Sequence, residues 1–118
     1  YVCVPISALS ASIEKTKRAI EKSGLLAPIA GHVGDGNYHL MILFDGESED
    51  GLSRAKSLAS EVNEIALDFG GTVTGEHGIG SGKRSYMERE HGEAWSIMGN
   101  IKELFDPNNI MNPGKLVP

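Results

Sequence analysis

The sequence predicts an α+β fold, a ferredoxin-like βαββαβ antiparallel sheet with an appended C-terminal helix. Three observations predict it. Two apolar stripes recur at the helical period. Short runs of β-branched and aromatic residues lie between and around them. Gly and Pro mark nearly every junction. In order, Tyr1 to Ile6 reads as a strand, with Pro5 at its edge or end. Ser7 or Ser10 then caps a helix in which Leu9, Ile13, Thr16 and Ile20 share a face, and Gly24 stops it. Leu25 to Val33 and Tyr38 to Phe44 read as the next two strands, the latter leaving through the turn Asp45-Gly46-Glu47-Ser48. A second helix runs from about Asp50 to Phe69, with Leu52, Ala55, Leu58, Ala59, Val62, Ile65, Ala66 and Phe69 as its apolar stripe. Gly70-Gly71 ends it, and Thr72 to Thr74 is a short fourth strand. The appended helix spans about Gly92 to Phe105, with Trp95, Met98, Ile101 and Phe105 on one side and Pro107 closing it. The tail from Asn108 to Pro118 reads as irregular.

At 118 residues the chain suits one domain, two at most. With 40% apolar and 23% charged residues it is neither a disordered tail nor a membrane-spanning chain. No stretch approaches the ~20 apolar residues a spanning helix needs. Eleven basic against sixteen acidic residues give a net charge of −5, which disfavours nucleic acid and anionic lipid as partners. The lone Cys3 has no internal disulfide partner and suits a reducing compartment such as the cytoplasm. The chain starts at Tyr1, in what reads as mid-strand, so a longer parent with a further N-terminal domain is expected.

The fifteen glycines cluster where chemistry is expected. In Gly31-His32-Val33-Gly34-Asp35-Gly36-Asn37-Tyr38-His39, Asp35-Gly36 between apolar runs signals a hairpin. If these are its two central residues, His32 faces His39, with Cβ atoms ~4.5–5.5 Å apart. Two such imidazoles can share a metal ion; the same residues also describe a turn with two incidental histidines. The second cluster, Gly75-Glu76-His77-Gly78-Ile79-Gly80, leaves the fourth strand. A ferredoxin-like sheet does not bring the two clusters together by itself, so a glycine-permitted loop must. Should they meet, His32, His39 and Glu76 form a two-His-one-carboxylate set. That is the catalytic arrangement for zinc, with one position open. His77 is then free for proton transfer. The plain alternative makes Glu76 a solvated acid and His77 a turn residue.

Together, GHVGDGNYH (31–39), GEHGIG (75–80), GKRSYM (82–87) and DPNNIMNPGK (106–115) resemble the C-terminal domain of FAD-linked oxidases, the D-lactate dehydrogenase and glycolate oxidase type of vanillyl-alcohol-oxidase-like flavoprotein. The resemblance covers nearly the whole chain. It implies a cap and substrate domain that closes over a flavin, the FAD being bound mainly by an N-terminal domain of the same parent chain. It implies a divalent metal, zinc by preference, on His32, His39 and Glu76, with His77 as the base and Asn37 facing the site. Related hydroxyglutarate enzymes carry an asparagine where this chain has Met41, which favours a smaller or more apolar D-2-hydroxy acid such as lactate or glycolate. The chain alone is then expected to be inactive.

Lys83 and Arg84 are read as a solvated pair or as groups orienting an anionic substrate. Asn112 and Lys115 are candidates to approach the flavin. Cys3 reads as a small buried residue, Trp95 and Met98 as core, and His91 as surface. Two other classes compete. A non-haem iron oxygenase shares the ligand set but needs a β-rich barrel. A non-catalytic ferredoxin-like binding or oligomerisation module would use its histidines only to pack a turn, and an open sheet face would then favour a homo-oligomer.

Overall fold

The computed structural model describes residues 1–118 and divides into two compact units, Tyr1–His77 and Gly78–Pro118. The first unit is α+β, as expected. It holds β1 (Val2–Cys3), α1 (Leu9–Ser23), β2 (Ile29–Ala30), β3 (Asn37–Leu40) and α2 (Glu49–Asp68). The sheet is antiparallel in the order β1-β3-β2. The fourth strand shrinks to one bridge, in which Cys3 and Thr72 exchange both backbone bonds at 3.0 and 2.7 Å. That bridge lies beside β1, where a ferredoxin-like sheet puts its last strand.

The strands are shorter than expected, for identifiable reasons. β1 gives way at Pro5 to a 3₁₀ turn, Ile6–Ala8. That turn leads directly into α1, which begins without a side-chain cap, so neither Ser7 nor Ser10 serves as one. In the hairpin, Leu26 pairs with Leu43, Ile29 with Leu40 and Ala30 with His39, all in one register. Pro28, which has no N–H to give, interrupts it while its carbonyl still accepts from Met41 at 3.1 Å.

The turn corrects the expected hairpin. Asp35-Gly36 are not the two central residues of a tight turn. Val33–Asp35 form a 3₁₀ turn and Gly36 closes it at φ 76°. Only glycine fits there, because an added Cβ would strike the Val4 carbonyl, whose own amide donates to Gly36 O at 3.0 Å. The register therefore shifts by two. Ala30, not His32, faces His39, and His32 lies opposite Asn37, whose N–H donates to its carbonyl at 3.3 Å. A shift of two keeps each position on its own face of the sheet.

One face of the sheet is the core. Val2, Val4 and Tyr38 pack there against Ala19 of α1 and Leu58, Val62, Ile65 and Ala66 of α2. Ser48 caps α2, its Oγ accepting from Gly51 N at 3.0 Å, and Glu49 and Asp50 complement the helix dipole. Leu52 and Ala59, expected in the stripe, are exposed instead. The Tyr38 hydroxyl is fully buried and bonded to Ser12 Oγ at 2.6 Å and Thr16 Oγ1 at 3.1 Å, both also fully buried. Tyr38→Phe is expected to cost about 1–3 kcal/mol, because two buried hydroxyls lose their partner. Urea unfolding reads this as a lower midpoint at unchanged slope. An unchanged midpoint would mean that Ser12 and Thr16 satisfy each other.

The second unit holds a 3₁₀ turn (Arg84–Tyr86), α3 (Met87–His91) and α4 (Ala94–Phe105). The expected single helix from Gly92 is thus preceded by another, and Gly92, at φ 54°, separates them. The expected apolar side of α4 is not a core face within this unit. Trp95 and Met98 are half-buried, while Ile101 and Phe105 are exposed. The tail is irregular but anchored. Leu116 N donates to Gly80 O at 2.8 Å, and Trp95 Nε1 donates to Leu116 O at 2.9 Å.

Asp106 is the buried hub of the tail. Its carboxylate accepts from the Lys102 ammonium and from the amides of Ile110 and Met111, both at 2.9 Å. The Lys102 hydrogen bond holds its pKa below the ordinary carboxylate value, against the opposing effect of burial. A lowered folded pKa stabilises above the unfolded value, and the benefit is lost as pH falls through the lowered one. Protection of the Ile110 and Met111 amides from exchange is therefore expected to survive near pH 4 and to vanish only in stronger acid. In Asp106→Asn it is expected to be weak at every pH. Hydrogen exchange, corrected for intrinsic rates, checks both.

Candidate active site

Strand alternation turns Tyr38 and Leu40 toward the helices and leaves Asn37 and His39 on the opposite, open face. Pairing of Val2 with Tyr38 puts Tyr1 and Cys3 on that open face too. Met41 continues the alternation there and is 53% exposed. The loop after Thr72 reaches the same face. Gly75 stands so close over Asn37 that a Cβ would come 2.8 Å from its Nδ2 and 3.1 Å from Tyr1 Cβ. Glycine is therefore what lets Glu76 and His77 approach.

The Tyr1 ring links the two clusters. It stacks on His39 with centroids 4.2 Å apart and planes at 27°, and meets His77 edge-on at 4.5 Å and 83°. His77 Nε2 lies 3.5 Å from Glu76 Oε1. Two buried polar atoms here have no hydrogen-bond partner, His39 Nδ1 and Asn37 Oδ1. Asn37, His39, Glu76 and His77 are thus brought together.

His32 joins them only partly. It precedes the 3₁₀ turn, exposed, with its carbonyl accepting from Asp35 N at 2.9 Å. The register makes it the diagonal neighbour of His39, a relation that spans ~7–8 Å. No three His, Cys, Asp or Glu side chains converge on one point that could hold a metal ion. The donor chemistry still fits a divalent ion. His39 presents a buried nitrogen without a partner, and His32 and Glu76 are exposed side chains whose rotamers packing does not lock.

Of the remaining candidates, Cys3 shares the open face and the others lie in the second unit. Cys3 is half-buried and its Sγ donates to Asp35 O at 3.2 Å. In the second unit, burial pulls the Lys83 ammonium below the ordinary lysine range, partly offset by the Glu90 carboxylate. Arg84 donates from Nη1 to Gly114 O at 3.3 Å, so neither it nor half-buried Lys83 is a freely solvated cation. Asn112, at φ 46°, and Lys115 are exposed, and His91 is half-buried beside Glu90 at 3.4 Å. Sequence reasoning missed Tyr1. Its signal was available only through strand pairing, because nothing local relates residue 1 to residue 39.

The antiparallel sheet thus packs its helices on one side and carries imidazoles, an amide and a carboxylate on the other, open side. Comparison with known proteins supplies the chain's kin: residues 2–116 match the model of the FAD linked oxidases' C-terminal domain, and the chain belongs to that family. It is 48% identical over 99% of its length to a mitochondrial D-lactate dehydrogenase [cytochrome] of Arabidopsis thaliana, covering 21% of that protein. It is 45% identical over 98% of its length to a probable mitochondrial D-lactate dehydrogenase of Danio rerio, covering 24%. With a glycolate oxidase subunit of Bacillus subtilis the identity is 36% over 96% of this chain and 24% of the relative. The chain thus spans about a fifth to a quarter of these relatives. No helix is long and apolar enough to cross a membrane.

Proposed function

We propose that the parent of this chain is an FAD-dependent oxidoreductase that converts a small D-2-hydroxy acid, of the lactate or glycolate type, to the 2-oxo acid. This domain binds the substrate, and an N-terminal domain of the same parent binds most of the FAD. One observation carries the reading. Asn37, His39, Glu76 and His77 gather on the open sheet face of a domain from an FAD linked oxidase family.

In this reading His32, His39 and Glu76 hold the divalent ion, zinc by preference. When bound, such an ion would supply positive charge that acidifies the substrate hydroxyl, and the parent's FAD would supply the hydride acceptor. His77 takes the hydroxyl proton on a ring nitrogen. Asn37 offers its partnerless Oδ1 as an acceptor that orients the substrate. Met41, exposed on the same face, provides no polar group for a second substrate carboxylate, which supports a short acid.

A non-catalytic binding module is the second reading, favoured by the lack of three converging donors. The full-length parent separates the two. It is expected to contain flavin and stoichiometric divalent metal, and to reduce a dye with D-lactate or glycolate within a panel of D-2-hydroxy acids. A colourless, metal-free protein inert to the whole panel would leave the binding module standing.

A further inference from the structure

We infer that Tyr1 is a positioning residue, an aromatic spacer that fixes His77 against His39. The inference rests on the roles proposed above for those two histidines. Three features point to it. Tyr1 stands on the same sheet face as His39, set there by the pairing of Val2 with Tyr38. Its ring uses both faces of aromatic chemistry at once, stacked on His39 at 4.2 Å and edge-on to His77 at 4.5 Å. Finally, Gly75 approaches to where a Cβ would lie 3.1 Å from Tyr1 Cβ, so the backbone that carries His77 rests on Tyr1.

His77 needs such a support. Its side chain is 66% exposed, and its one ionic neighbour, Glu76 at 3.5 Å, is itself 44% exposed. A base held only by its own rotamer samples several positions, and misplacement by ~1 Å can cost as much as ~10² in rate. The Tyr1 ring removes part of that freedom. Because the work is done by the ring's faces and edge, phenylalanine should replace it and an aliphatic side chain should not.

The test uses the full-length parent with Tyr1→Phe, Tyr1→Leu, His77→Ala and the Tyr1→Leu/His77→Ala double variant. Tyr1→Leu is expected to reduce its flavin about tenfold more slowly, corresponding to the ~1.4 kcal/mol upper range of an aromatic pair. Metal content, flavin content and substrate KM should stay at parental values. Tyr1→Phe should keep the parental rate. In selectively labelled protein the His77 ring protons, displaced by the Tyr1 ring current, should move toward free-histidine positions in Tyr1→Leu and stay put in Tyr1→Phe. In the His77→Ala background Tyr1→Leu should cost nothing further, since its effect passes through His77.

A parental rate in Tyr1→Leu, an equal loss in Tyr1→Phe, loss of metal in Tyr1→Leu, or additive losses in the double variant would each overturn the inference. If His77→Ala itself reduces flavin at the parental rate, the proposed base has failed, whatever Tyr1 does. If His77→Ala is slow and Tyr1→Leu is not, only the role of Tyr1 falls.

Discussion

Alanine at His39 is expected to strip the full-length parent of its divalent ion and its activity together. The loss should exceed the ~10–100-fold that a merely supporting residue costs at a metal centre. His39 sits in β3, the central strand, with its ring against Tyr1 and a buried Nδ1 that no protein group satisfies. A buried nitrogen without a partner costs free energy unless something outside the chain binds it. His32→Ala should have the same outcome by a different route. Its side chain is exposed and lies on the loop, so the fold should not notice its removal while the ion should. Two remaining protein ligands rarely hold a catalytic ion. Elemental analysis and flavin reduction on the same samples decide. Stoichiometric metal in a His32→Ala/His39→Ala double variant would exclude these residues as ligands. Loss of metal without loss of rate would separate the ion from the chemistry.

The architecture was legible where period and punctuation agreed. The stripe of α2 and the left-handed Gly24 that ends α1 stand close to where the residues put them. The order of sheet neighbours followed from the strand-helix-strand-strand-helix succession, because ferredoxin-like connectivity leaves few alternatives. Three things were not legible. The hairpin register depended on whether Asp35-Gly36 formed a two-residue turn. That was settled by Val4, which passes over Gly36 and is distant in sequence. The short α3 carries a mixed, charged composition, Met87-Glu88-Arg89-Glu90-His91, with no apolar period to announce it. The candidate site was legible as residue types and as a conditional ligand set, but not in how the chain brings its parts together. His39, Glu76 and His77 stand out as chemistry in the sequence, while the Tyr1 ring that connects them lies at the far end of a strand pairing.

His77→Ala is expected to behave differently from either ligand variant. It should keep both metal and flavin while flavin reduction by substrate slows by ~10²–10⁴, the usual worth of a positioned base. His77 follows Glu76 directly, with Nε2 3.5 Å from Oε1, so the two are neighbours in chain and in space yet make separable claims. In the proposed reading, removing Glu76 takes away a ligand, so metal should go first, whereas removing His77 takes away only an acceptor for the substrate's hydroxyl proton. Its 66% exposed side chain carries little of the fold. The deficit should shrink at high pH, where solvent hydroxide takes the proton in place of the imidazole. A loop disordered by either change would damage metal binding and rate alike, and that pattern would show in both variants. Stopped-flow reduction, with metal and flavin measured on the same preparations, distinguishes these cases. If His77→Ala loses its metal, the residue is a ligand. If it reduces its flavin at the parental rate, the proton leaves by another path and the role of base passes to another group.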